Sequence, residues 1–81
     1  MNGHKSARSA QAEKALVIAF CNDNNIRYSE TAATIILTHN DKTVEVKPKT
    51  AMITDKSTNH SERYYNVIAK LRLTFNIFTQ H

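Results

Sequence analysis

The run "TIILTHNDKTVEV", residues 34–46, limits the fold more than any other stretch of this chain. In "TVEV" apolar and polar residues alternate, so Val44 and Val46 point to one side of a strand while Thr43, Glu45 and Lys47 point to the other. "TIILT" is rich in β-branched residues that suit a pleated backbone, and "HND" between the two runs is made of turn-forming residues. The two runs predict a hairpin with one apolar face. Pro48 removes a ladder donor and so suits the end of the second strand, after which "TAMIT" reads as a third. The expectation is a meander of three antiparallel strands, and its apolar face must be covered.

Two helices are predicted to cover it. Good helix formers fill "SARSAQAEKALVIAFCNDNN", where Ala12, Leu16 and Phe20 recur at one turn's spacing with Ala15 and Ala19 beside them. Ser6 or Ser9 suits the cap, and "NDNN" suits the end, because Asn and Asp tolerate left-handed backbone; the predicted helix covers residues 6–23. Later, Asn59 followed by Glu62 fits an N-cap with its reciprocal acid, and Tyr64, Val67, Ile68, Leu71, Phe75 and Phe78 fall on one helical face. The closing "KLRLTFNIFTQH" also alternates as a strand would. A helix ending at Lys70 would be short for covering a sheet, so the reading is a helix over about residues 60–74.

The fold class expected is therefore α+β, a single small domain of order α-β-β-β-α, with two helices on one face of a three-stranded antiparallel sheet. Its core would be Leu16, Phe20, Ile35, Leu37, Val44, Val46, Val67, Ile68, Leu71 and Phe75. With 81 residues there is material for one core only, assigned to residues 6–78 between a disordered lead (1–5) and a short tail (79–81).

The order over residues 6–78 resembles in outline that of double-stranded RNA-binding domains and of some small toxin ribonucleases. Their motifs are replaced. "STNHSER" stands where the RNA-binding family has a basic cluster, "THNDK" where it has a Gly/Pro loop, and His39 lacks the Gly-rich strand of the ribonucleases. No residue role is carried over.

Chemistry is scarce. His4, His39, His60 and His81 are widely scattered, the seven acids fall singly, and the one glycine, Gly3, lies in the lead, so no metal site, catalytic residue or phosphate loop is signalled. His39 with Asp41 is a local pair better explained by the turn. Neither a cofactor nor a small-molecule substrate is expected, and the protein is read as non-enzymatic. Cys21 is alone, which excludes an internal disulfide and suits a reducing compartment. The apolar run "ALVIAF" is too short for a membrane span, so the expected location is cytoplasmic with no membrane partner.

What remains is binding. Eleven Lys and Arg against seven Asp and Glu give a net charge of +4, which suits a polyanion. Lys42, Lys47, Lys49, Lys56 and Arg63 are the candidates for contacting nucleic acid, DNA or RNA, through its phosphates. Leu73 and Ile77 lie off the main helical stripe, and together with Phe78 they form the candidate surface for a homodimer or for docking on a host protein.

Overall fold

A computed structural model describes residues 9–77 of the chain. It has two helices and five strands in the order α1 (Ala10–Asp23), β1 (Arg27–Glu30), β2 (Ile35–His39), β3 (Lys42–Lys47), β4 (Met52–Asp55), β5 (His60–Arg63) and α2 (Val67–Phe75). Each strand pairs antiparallel with the next, so the sheet order β1-β2-β3-β4-β5 is the chain order. The α+β class is as expected, but the sheet has five strands and not three.

The three expected strands are β2, β3 and β4. The β2–β3 turn is built on Asn40 and Asp41, both at positive φ, as the tight hairpin turn requires. The two additional strands, "RYSE" and "HSER", are exposed at every position and therefore carry no alternation to reveal them. They pair antiparallel with β2 and β4 and take up backbone N–H and C=O groups that would otherwise face solvent. With five strands the outline shared with RNA-binding domains no longer holds.

The second helix is accordingly shorter than expected. Residues 60–63, read as its first turn, instead pair with β4 from Asp55↔His60 to Met52↔Arg63. Asn59 is no cap; it sits at φ 61 in the β4–β5 turn and donates its N–H to Asp55 O at 2.7 Å. The cap is Asn66, whose side chain accepts from Ala69 N at 3.1 Å. The ambiguous C-terminal run is helix through Phe75, closed by Asn76 at φ 60 with Ile77 N–H donating to Arg72 O at 2.9 Å. The first helix is closed in the same way: Asn25 has φ 56, and Ile26 N–H donates to Cys21 O at 2.8 Å. Its cap is Ser9, which accepts from Ala12 N at 3.1 Å; Ser6 lies outside the described residues.

Alternation and register sort the sheet into two faces. Ile35, Leu37, Val44, Val46 and Ile53 all point to one side, where they are buried with Val17, Phe20 and Cys21 of α1 and Val67, Leu71 and Phe75 of α2. Leu16, expected in this core, is 36% exposed. The buried stripe of α1 is instead Glu13, Val17, Phe20 and Cys21, rotated toward Tyr64, whose hydroxyl donates to Glu13 Oε1 at 3.3 Å. Ile68 is half-buried at the rim. Cys21 is fully buried, and desolvation pushes its thiol up to about 11, well away from reactivity at neutral pH. Lys14 clamps α1 to the edge of the sheet, with its ammonium 3.1 Å from Glu30 and 3.0 Å from Thr31 O.

Candidate nucleic-acid interface

The other side of the sheet carries neither helix. Reading across the strands, its side chains form three rows: Arg27, Thr38 and Thr43; then Ser29, Ile36, Glu45, Thr54 and Ser61; then Lys47, Met52 and Arg63. Hydroxyls bridge neighbouring strands, Thr38 to Thr43 at 3.4 Å and Thr54 to Ser61 at 2.8 Å. Ile36 in the middle row and Met52, between Lys47 and Arg63 in the third, are half-buried, and the cations lie in the two outer rows.

Charge on this face is unevenly satisfied. Glu45 is the one carboxylate in the three rows, and Lys56 reaches back over the face to within 3.6 Å of it. Arg27, Lys47 and Arg63 make no ion pair among the described residues, and neither does Lys49 in the turn beside Lys47. All four are exposed. An exposed cation without a partner keeps its hydration in the free protein and exchanges it for a phosphate at little cost.

The five expected phosphate contacts are therefore divided. Lys47 and Arg63 share one cross-strand row, Lys49 lies next to them, and Lys56 is engaged by Glu45. Lys42 is on the opposite, helix-covered side, 3.8 Å from Asp55. Arg27 also belongs to the face, although nothing in "RYSE" marks it as a strand.

A recess lies between α2 and the β4–β5 hairpin, with a volume of about 220 Å³. Its ionic groups are Lys42, Asp55, His60, Glu62 and Lys70, and they satisfy one another. Lys70 donates to Glu62 Oε1 at 2.7 Å, and His60 Nε2 is 3.5 Å from Glu62 Oε2. The Lys70 ammonium is the main cause that holds the Glu62 carboxyl below the usual range. Asp55 is held low chiefly by the Ser57 hydroxyl at 2.6 Å and the Ser57 N–H at 3.0 Å. Carboxylates held ionised in this way are poorly suited to proton transfer near neutral pH.

Of the expected protein-interaction residues, Leu73 is 65% exposed at the lip of this recess. Ile77 turns inward and packs against the core. Phe78 lies outside the described residues.

The tyrosines differ sharply. Tyr64 is buried, and desolvation, reinforced by Glu13, pushes its hydroxyl up to about 12. Tyr28 is partly exposed on the helix-covered side of β1. Tyr65, between β5 and α2, is 98% exposed. Among the described residues no group of three or more His, Cys, Asp or Glu is placed to hold a metal ion, and no helix is long and apolar enough to cross a membrane. The chain matches no known family model, no curated protein and no solved structure.

Proposed function

We propose that this protein binds nucleic acid through the uncovered face of its sheet, gripping phosphates with little sequence preference and without catalysis. The observation that carries the reading is the distribution of unpaired cations. Every described Lys or Arg off this end of the fold or off this face has a partner: Lys14 with Glu30, Lys42 with Asp55, Lys70 with Glu62, and Arg72 over the Phe20 ring. Those whose side chains have no partner of any kind among the described residues are Arg27, Lys47 and Arg63 on the face and Lys49 at its rim. Surrounding Ser and Thr hydroxyls add neutral donors for phosphate or sugar oxygens.

Lys47→Glu combined with Arg63→Glu tests the reading. Both side chains are exposed, so the fold should survive, and binding to a mixed DNA and RNA ladder at low salt should be lost. Wild-type protein that ignores both nucleic acids at low salt, or a double variant that binds as the wild type does, would overturn it.

A second reading has one observation in its favour, the exposure of Leu73 beside the α2 recess. There the protein would dimerise or dock on another protein, and Leu73→Ser would abolish the association without disturbing the fold. Ile77, packed on the core, adds nothing to that surface.

A further inference from the structure

We infer that the nucleic acid held on this face is single-stranded and that Tyr65 is the platform on which one of its bases stacks. The inference rests on the phosphate-binding reading above and adds to it the form of the ligand.

Folding does not explain Tyr65. Its ring is 98% exposed, against 37% for Tyr28 and 6% for Tyr64, so it contributes almost no burial to the core. Its backbone is nevertheless tied down on both sides. Tyr64 N–H donates to Ala51 O at 2.9 Å, which prolongs the β4–β5 pairing past Arg63, and Asn66 is fixed as the cap of α2 through Ala69 N at 3.1 Å. A large ring on an anchored segment is offered to a ligand at little entropic cost.

Its position matches the cations. Arg63 lies two residues before it and heads the row that continues through Met52 to Lys47. Lys49 sits in the turn that the Tyr64–Ala51 bond closes against. An aromatic face beside a cluster of unpaired cations is what binders of single strands use: the ring takes an unstacked base, and the cations take the backbone that leads to it. A duplex keeps its bases stacked inward and presents no base face to such a ring. The rest of the uncovered face holds Ser, Thr, Ile36, Met52 and the Lys56-paired Glu45 and no aromatic residue, so stacking is confined to the Tyr65 end.

The test is a titration by fluorescence anisotropy with labelled oligonucleotides of about 12 nucleotides, a length in the range one small domain covers. Each is offered single-stranded and as a duplex to the wild type, to Tyr65→Ala, to Tyr65→Phe and to the Lys47→Glu, Arg63→Glu double variant. The expected result is a wild type that prefers the single strand, a Tyr65→Ala variant weakened on it by about fivefold to a hundredfold, and a Tyr65→Phe variant that recovers most of the loss. Circular dichroism should find all four proteins equally folded. If Tyr65→Ala matches the wild type on the single strand, or if the wild type holds duplex at least as tightly, the single-strand inference falls. Loss of binding in the lysine and arginine double variant would in that case leave the phosphate-binding reading standing. A wild type that binds neither form removes both.

Discussion

Tyr64 and Glu13 show how one buried hydroxyl reports on the state of the whole core. Burial and the neighbouring carboxylate push the tyrosine from its ordinary value of 10.0 to about 12, so the native state keeps a proton that the unfolded chain gives up. The folded protein binds more protons than the unfolded one above pH 10, and stability must fall as pH rises from about 10 to about 12. Cys21, raised from 9.0 to about 11, adds to the loss from its lower end. Below pH 9 both contributions are fully present. Urea unfolding measured at successive pH values should show the decline, and Tyr64→Phe should flatten its upper part, with a slope change of at most about 1.4 kcal/mol per pH unit. The pair was not legible in the sequence. Glu13 and Tyr64 are 51 positions apart, and a carboxylate on the buried face of a helix contradicts the apolar stripe that made Leu16 look like core.

Among the elements, legibility followed the strength of the local signal. The hairpin of β2 and β3 and the closing "NDNN" of α1 were readable because alternation and left-handed Asn act within a few residues. β1 and β5 were not, since edge strands with all side chains exposed are specified by their neighbour's backbone and not by their own pattern. The start of α2 was misplaced because Asn59 and Glu62 imitate a cap with its acid, whereas Asn66 caps without one. Pairing with β4 overrode the local preference of residues 60–63. The cap itself is open to measurement: Asn66→Ala should destabilise the protein by about 1 kcal/mol in urea unfolding, because it leaves an N–H of the first turn of α2 without its partner.

At the scale of the molecule, the two sides of the sheet differ in character. One is consumed by the core, and the other carries Arg27, Lys47 and Arg63, which have no partner among the described residues. The lysines were visible in the sequence, but their sorting was not, because strand direction decides which of them share a face; Lys42 and Lys47 are five residues apart and point to opposite sides. Glu45 is the exception within the cationic face, and it sets the magnitude of the effect. Glu45→Gln releases Lys56 and removes the one negative charge from the three rows, so affinity for nucleic acid should rise by about threefold to tenfold at low salt. The gain should disappear as salt is raised, and an affinity unchanged at low salt would show that the ligand does not cross the middle of the face.

The pairing of every strand with its neighbour in the chain has a kinetic consequence. Each ladder closes over a short stretch of sequence, so the meander can form with little loss of chain entropy and early in folding. The contact of Tyr64 with Glu13 brings together distant parts of the chain and must come late. The meander is therefore expected to form ahead of the contacts through which α1 covers its apolar side.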